Sequence, residues 1–207
     1  MKVYVLDVSP LRLHEAEALA RLYPERREKA LRIRREEARL LSIGAGLLLR
    51  AAGLEPPYSY GAYGKPGVPG GRHFSLTHSG SLAALALHTA PVGLDAERIA
   101  PVPRAAARAL TPDERRYMAD DPERRFAYLW TRKEAVLKCT GDGLSLPMNS
   151  FSVLDDTARL GDKDFSLCTV SYGDAILSAA TADGSADFVP QTVEASELLQ
   201  QEDALWN

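Results

Sequence analysis

Helix-type and strand-type segments are grouped along this chain rather than alternated, and this grouping is what most limits the folds open to it. Side-chain periodicity and turn residues define the segments. In chain order they are a strand at 2–8, helices at 14–22 and 25–52, strands at 73–78, 82–88 and 92–97, helices at 103–110, 112–119 and 123–140, strands at 151–154, 165–172 and 175–181, and a helix at 196–203. Segregation of this kind favours an α+β fold with antiparallel sheets over a βαβ array.

The sequence changes character near Arg98, where Pro101 and Pro103 separate strands from the helices that follow. The stretches before and after this junction contain similar sets of helices and strands. We therefore expect a pseudo-duplicated pair of α+β subdomains, residues 1–98 and 99–207, each with a small antiparallel sheet packed by helices.

Composition argues against several classes of protein. The chain has 207 residues, a net charge of −3 and a mean hydropathy of −0.20. No apolar run approaches the roughly 18 residues of a membrane-spanning helix, and the N-terminus lacks the features of a signal peptide, so we expect a cytoplasmic protein. The two cysteines, Cys139 and Cys168, are too few for a secreted disulfide scaffold and have no His at ligand spacing, which argues against zinc.

Asp95 and Glu97 lie two residues apart in the predicted strand 92–97. Residues two apart share one face of a strand, so the two carboxylates point the same way while Leu94 and Ala96 face the core. Adjacent carboxylates repel each other and favour a cation, and Mg²⁺ takes hard oxygen ligands of this kind. The alternative is a solvated strand edge that carries ordinary surface charge.

Trp130, Glu134 and Lys138 form one stripe on the predicted helix 123–140, because they follow one another at intervals of four residues. The stripe presents an aromatic ring, an acid and a base, and Lys133 lies beside it. The alternatives are a surface ion pair between Glu134 and Lys138, and a Trp130 side chain that belongs to the core.

A third set of residues has the chemistry to hold phosphate. The loop Gly64-Lys65-Pro66 can present backbone N–H groups and a cation, and His78 stands at a strand end among small hydroxyl residues. Turn chemistry and a half-buried histidine would account for the same residues. The basic run over residues 26–39 fits a solvated helix face or, for a few of its members, contact with a polyphosphate or an acidic partner.

The order and spacing of these features resemble the 4'-phosphopantetheinyl transferase superfamily, in particular its larger, monomeric, surfactin-synthetase-activating type. Residues 63–66 (YGKP) are similar to the family's first motif and residues 74–80 (FSLTHSG) to the segment after it. Residues 92–97 (VGLDAE) look like its metal motif. Residues 130–138 follow its most specific pattern, W-x-x-K-E-A-x-x-K, and residues 141–147 are similar to family members as well.

The resemblance implies two similar α+β halves with the active site at their junction. It implies an enzyme that moves the phosphopantetheine arm of coenzyme A to a serine of an acyl or peptidyl carrier protein, as needed in fatty acid, polyketide or nonribosomal peptide biosynthesis. Adenosine 3',5'-bisphosphate would leave, Mg²⁺ or Mn²⁺ would be the cofactor, and the enzyme would be a monomer that binds neither nucleic acid nor membrane.

The resemblance also assigns roles to residues of this chain. They are metal binding by Asp95, Glu97 and Glu134, catalysis by Glu134 and Lys138, and coenzyme A binding by Arg26, Lys29, Lys65, Pro66, Thr77, His78, Lys133 and Lys138. Arg26 and Lys29 would meet the 3'-phosphoadenosine end, and Ser42 falls near the position expected for that phosphate.

Two other functions stay open on the sequence alone. A metal-dependent nuclease also uses clustered acids near a lysine, but this chain is net acidic, lacks an aromatic-basic strip, and has Glu134 and Lys138 on a helix. A non-catalytic module that binds coenzyme A or a carrier protein would be expected to lack one acid of the triad, and Asp95, Glu97 and Glu134 are all present.

Overall fold

The computed structural model of the protein describes residues 1–70, 72–103, 106–141 and 147–200. The helices are α1 (Glu15–Arg21), α2 (Pro24–Leu31), α3 (Glu36–Ala51), α4 (Pro112–Met118), α5 (Pro122–Thr140) and α6 (Ala195–Gln200). The strands are β1 (Lys2–Asp7), β2 (Ser59–Tyr60), β3 (Pro66–Gly67), β4 (His73–Ser79), β5 (Leu82–His88), β6 (Val92–Arg98), β7 (Thr157–Leu160), β8 (Lys163–Tyr172), β9 (Ala175–Thr181) and β10 (Pro190–Thr192). Within the described residues, no helix is long and apolar enough to cross a membrane.

Three predicted segments extend beyond the described residues. They are the middle of the motif at 141–147, part of the predicted helix at 103–110 and the end of the helix at 196–203. What the structure does describe of the second segment is a 3₁₀ turn over Ala106–Ala109.

Two four-stranded sheets organise these elements. The first has the order β10-β1-β5-β4, with antiparallel pairs except for β10, which runs parallel to β1. The second has the order β6-β9-β8-β7 and is antiparallel throughout. A short ribbon of β2 and β3 stands apart from both. The predicted α+β fold with small antiparallel sheets packed by helices is confirmed.

The two sheets pack against each other, and helices cover their outer faces. The layer between the sheets is apolar and is built mostly from small or β-branched side chains, namely Val3, Val5, Ala84, Ala86, Val92, Leu94, Ala96, Ala175, Leu177, Ala179 and Phe188. Helix α3 packs on the outer face of the first sheet, and α5 packs on β6 and β9 of the second. The small side chains between the sheets allow a close approach, which brings β4 alongside β6.

The predicted single helix over 25–52 is in fact two helices, α2 and α3. The chain leaves α2 at Arg32 and begins α3 four residues later, with no Pro or Gly in the linker to mark the break. Tertiary contacts support the break instead, because Arg39 donates to the carbonyl oxygen of Ile33 at 3.2 Å and pairs with Glu15 at 2.6 Å. The break between the two helices lets α2 pack on α3 and form one wall of a cleft.

The C-terminal half differs from the prediction in its strands. Residues 151–154 are not a strand, and the partner of β8 is the unpredicted strand β7. The short strand β10 was not predicted either, and it returns to the first sheet, where Pro190 pairs with Val3 of β1. Strand β6 already belongs to the second sheet, so sheet membership does not change at residue 98.

Candidate active site

Strand β6 directs Asp95 and Glu97 away from the layer between the sheets. Leu94 and Ala96 belong to that apolar layer, so the residues between and beyond them take the opposite face, as strand periodicity predicts. Helix α5 lies on this face, and the Nζ of its Lys138 is 2.6 Å from Oδ1 of Asp95. Strand and helix therefore bring an acid and a base together.

Gly93 allows α5 to approach β6 closely enough for this contact. A Cβ atom at residue 93 would lie 1.8 Å from the carbonyl oxygen of Ala135 and 2.5 Å from the amide nitrogen of Cys139. Both are backbone atoms of α5, so neither can turn aside as the end of a side chain can. The missing side chain at residue 93 thus sets the spacing between the strand and the helix.

The two carboxylate oxygens of Asp95 have different surroundings. Oδ1 accepts hydrogen bonds from the ammonium of Lys138 and, at 3.0 Å, from the hydroxyl of Thr77. Oδ2 is buried and has no hydrogen-bond partner among the described residues. A buried acceptor left in this state costs about 1–3 kcal/mol, so a ligand that satisfies it is favoured.

The carboxylates of Asp95, Glu97 and Glu134 lie close enough for the negative charge of one to disfavour ionisation of another. Burial raises the pKa of Asp95, and the neighbouring charge of Lys138 offsets that rise only in part. Burial also raises the pKa of Glu97 and of Glu134, and the negative charge of Asp95 raises both further. A bound cation would relieve this repulsion.

Asp95, Glu97 and Glu134 have the chemistry that a divalent metal ion needs. Mg²⁺ takes hard oxygen ligands and is held by one or two carboxylates together with water and substrate phosphate. In the part of the chain that the structure describes, no three acidic, His or Cys side chains are gathered into a ligand cage. The observations that fit a cation are the unsatisfied Oδ2 of Asp95 and the mutual repulsion of the acids.

A cleft of about 470 Å³ is lined both by Asp95 and by basic residues of α2. Among the predicted site residues, those that line it are Arg26, Lys29, Ser42, Pro66, Thr77, His78, Asp95 and Lys138. The guanidinium of Arg26 donates to the carbonyl oxygen of Ser42 at 3.2 Å. The Nε of Arg26 and the hydroxyl of Ser42 are buried without a hydrogen-bond partner among the described residues. Both groups can donate a hydrogen bond, so an anionic ligand in the cleft would satisfy them.

The hydroxyl of Thr77 is already used by the protein. It donates to Asp95, and it accepts from the amide of Ala96 at 3.2 Å and from Lys138 at 3.3 Å. One donor and two acceptor positions are all that a hydroxyl has. Thr77 therefore holds the acidic cluster in place, and its methyl group and backbone are what remain for a ligand in the cleft.

Lys65 differs from the prediction, because its ammonium lies at the end of α5. Nζ donates to the carbonyl oxygen of Val92 at 2.9 Å and to that of Cys139 at 3.5 Å, and burial lowers its pKa. The last carbonyl groups of a helix lack partners within the helix and attract a cation. Lys65 thus fastens the loop that carries Pro66 to the start of β6 and the end of α5, and it is not among the residues that line the cleft.

Lys133 does not reach the cleft, which corrects its predicted place in the coenzyme A site. Its side chain is fully buried, with Nζ 2.9 Å from Glu114 and within 2.7 Å of the carbonyl oxygens of Met148 and Phe151. These three acceptors engage all three N–H groups of the ammonium. Because one residue turns a helix by about 100°, Lys133 points to a different side of α5 from Glu134.

Ser79, which no motif in the sequence singled out, donates its hydroxyl proton to Oε2 of Glu97 at 2.8 Å. Hydroxyl residues at every second position of β4 were the available signal, because such spacing puts them on one face. Trp130 stacks on Phe126 at a centroid distance of 5.6 Å and lines a small apolar groove next to Glu97, so its place on the predicted stripe is explained by packing.

Known proteins similar to this chain point to a single activity. Residues 91–178 match the model of the 4'-phosphopantetheinyl transferase superfamily. A 4'-phosphopantetheinyl transferase of Bacillus subtilis is 36% identical over 170 residues, which is 74% of this chain and 76% of the relative. The 4'-phosphopantetheinyl transferase Sfp of Bacillus subtilis strain 168 is 31% identical over 170 residues, again 74% of this chain and 76% of the relative. The 4'-phosphopantetheinyl transferase psf-1 of Bacillus pumilus is 41% identical over 95 residues, which is 44% of this chain and 39% of the relative.

Proposed function

We propose that this chain, which belongs to the 4'-phosphopantetheinyl transferase superfamily, transfers phosphopantetheine from coenzyme A to a serine hydroxyl of an acyl or peptidyl carrier protein. Adenosine 3',5'-bisphosphate is the second product. The enzyme acts as a cytoplasmic monomer, and its partners are coenzyme A and the carrier rather than nucleic acid or membrane.

The observation that carries the proposal is the single cleft shared by Arg26, Lys29, Asp95 and Lys138. Coenzyme A has a phosphorylated ribose at one end and a pyrophosphate further along. A site for it needs cations for the first and a charge-balancing cluster for the second. In this cleft Arg26 and Lys29 would hold the 3'-phosphoadenosine end, and Pro66 and His78, which also line it, would contact the bound coenzyme A.

Asp95, Glu97 and Glu134 would hold Mg²⁺, or Mn²⁺ in its place. When bound, the ion supplies positive charge that balances the pyrophosphate oxygens as the phosphorus–oxygen bond breaks. Lys138 serves the same end from the protein side. Two of its N–H groups are engaged by Asp95 and Thr77, and the third can reach a phosphate oxygen and stabilise the leaving bisphosphate.

Glu134 is the residue we assign to the proton of the carrier serine. Burial and the charge of Asp95 raise the pKa of this carboxyl in the absence of a cation, and a carboxylate beside the metal-binding acids is a suitable general base for a hydroxyl proton. It takes the proton directly or through a water molecule as the serine oxygen attacks the β-phosphate of coenzyme A. The proton then rests on Glu134, the new serine–phosphorus bond replaces the old one, and the adenosine bisphosphate departs.

Intact-mass measurement of a carrier protein tests this function. Purified apo-carriers of the acyl and peptidyl classes are incubated with coenzyme A, MgCl₂ and the enzyme, and a gain of one phosphopantetheine is expected on at least one of them. EDTA and the Glu134→Gln substitution should each abolish the gain. Glu28→Gln is the matched control, because Glu28 is an exposed glutamate of α2 whose carboxylate pairs with Arg32, away from the acids of the site. Full turnover by Glu134→Gln would rule out the assigned role.

A further inference from the structure

Three hydroxyl side chains of β4 accept the hydrogen bonds that a neighbouring strand would otherwise accept at the edge of the second sheet. Strand β6 is the last strand of that sheet, so the N–H groups on its outer side need partners from elsewhere. Ser75, Thr77 and Ser79 supply them. Their hydroxyls accept from the amides of Leu94 at 2.9 Å, Ala96 at 3.2 Å and Arg98 at 3.0 Å, respectively. We call this arrangement the hydroxyl ladder.

The ladder repeats with a period of two residues, and its second and third rungs each donate to a carboxylate. Thr77 donates to Asp95 at 3.0 Å, and Ser79 donates to Oε2 of Glu97 at 2.8 Å. The backbone N–H that each hydroxyl accepts occupies one of its lone pairs, so the hydroxyl proton is left to point at the acid. The first rung, Ser75, has no acid to meet, because the corresponding residue of β6 is Gly93.

We propose that Ser79 is a positioning residue for the divalent cation, acting through Glu97. This inference rests on the proposed function, since it names a residue that prepares the same site. Ser79 holds Oε2 of Glu97 and thereby restricts the rotation of the side chain, so that the other carboxylate oxygen remains for the cation. A flexible glutamate would lose side-chain conformational entropy when it binds the ion. The hydrogen bond from Ser79 already restricts Glu97 in the free protein, so less entropy is lost on binding.

The test is the affinity of the protein for Mn²⁺ in the presence of coenzyme A, measured by electron paramagnetic resonance without any carrier protein. Loss of an outer-shell partner of a metal ligand weakens binding by about 10- to 100-fold, and we expect that change for Ser79→Ala. Ser75→Ala is the matched control, because it removes the same kind of backbone hydrogen bond without touching a carboxylate. Ser79→Thr keeps the hydroxyl and should bind Mn²⁺ within about threefold of the wild type.

Thermal unfolding separates positioning from simple support of the fold. Each alanine variant loses one amide partner, and the loss of stability should be at least as large for Ser75→Ala, whose hydrogen bond is buried, while only Ser79→Ala should lose metal affinity. Should Ser79→Ala fail to fold, Ser79→Cys keeps the side-chain volume with a much weaker donor, and the same loss of affinity is expected.

The outcomes distinguish this inference from the proposed function. If the wild type modifies a carrier but Ser79→Ala binds Mn²⁺ as tightly as the wild type, the inference alone is overturned. Equal losses of affinity in Ser75→Ala and Ser79→Ala overturn it as well. If the wild type neither modifies a carrier nor binds Mn²⁺, the function fails and the inference fails with it.

Discussion

The substitution Gly93→Ala should damage both stability and turnover, because it separates α5 from β6. The added Cβ atom would lie 1.8 Å from the carbonyl oxygen of Ala135, whereas ordinary contact begins at 3.4 Å. The difference, 3.4 minus 1.8, means that the helix or the strand must move by about 1.6 Å. The obstructing atoms are backbone, so no change of rotamer can absorb the shift.

This displacement has a cost that can be stated in advance. Extra volume forced into a well-packed core destabilises proteins by about 1–3 kcal/mol and sometimes more, and we expect Gly93→Ala in the upper part of that range. The same movement carries Glu134 and Lys138 away from Asp95. A displacement of about 1 Å in a catalytic group can reduce the rate about 100-fold, so kcat should fall by at least that factor in the fraction that folds.

Urea denaturation and the carrier mass assay measure the two effects. Gly61→Ala is the control, because a Cβ atom there meets nothing nearer than the carbonyl oxygen of Lys65 at 3.8 Å. The free energy of unfolding of this control should change by no more than about 0.5 kcal/mol. A Gly93→Ala protein as stable and as active as the wild type would contradict this prediction, since the close approach of α5 could then not be what assembles the site.

Three further results are expected. Lys133→Met should lower the free energy of unfolding by about 3–5 kcal/mol without raising the KM for coenzyme A, because it leaves the buried Glu114 unpaired; a raised KM in a stable variant would contradict this. Lys65→Met should lower the free energy of unfolding by about 1.5–3 kcal/mol in urea denaturation, since it removes the ammonium that donates to the carbonyl oxygens of Val92 and Cys139, and Lys65→Arg should recover part of the loss. Hydrogen bonds from the hydroxyl and then the amide of Ser185 are the main causes that lower the pKa of Asp183 from 3.8 to about 2, so the charged carboxylate stabilises the fold above pH 3.8 and that contribution is lost as the pH falls toward about 2. Ser185→Ala should move the NMR titration midpoint of Asp183 upward, and an unchanged midpoint would count against the hydrogen bond.

Local patterns in the sequence were enough to predict several elements. The β4–β5 hairpin forms around Gly80, whose φ of 59° suits glycine. Helix α4 begins with a capping box, which the spacing of Thr111 and Glu114 makes visible in the sequence; Thr111 accepts from the amide of Glu114 and the Glu114 carboxylate accepts from the amide of Thr111. Signals of this kind lie within a few residues of one another, so they are visible without knowledge of the fold.

The break between α2 and α3 and the pairing of β10 with β1 had no local signal. Helix propensity continues through residues 32–35, and the break depends on Arg39, whose partner Glu15 lies 24 residues away in the chain. Strand β10 has three residues, too few for a recognisable periodicity, and its partner β1 lies at the other end of the chain.

Residue patterns along the chain are enough to identify the family, the α+β class and the set of acids and bases from which the site is built. Which of these residues meet depends on how the helices and strands pack. Spacing along α5 gave Lys133 and Lys138 different faces, but only the packing of α5 on β6, permitted by Gly93, turned Lys138 toward Asp95 and Lys133 into the core beside Glu114. A charged side chain that is buried needs a partner of opposite charge, because desolvation is costly. For both lysines that partner comes from a distant part of the chain, so the sequence near the lysine does not reveal it.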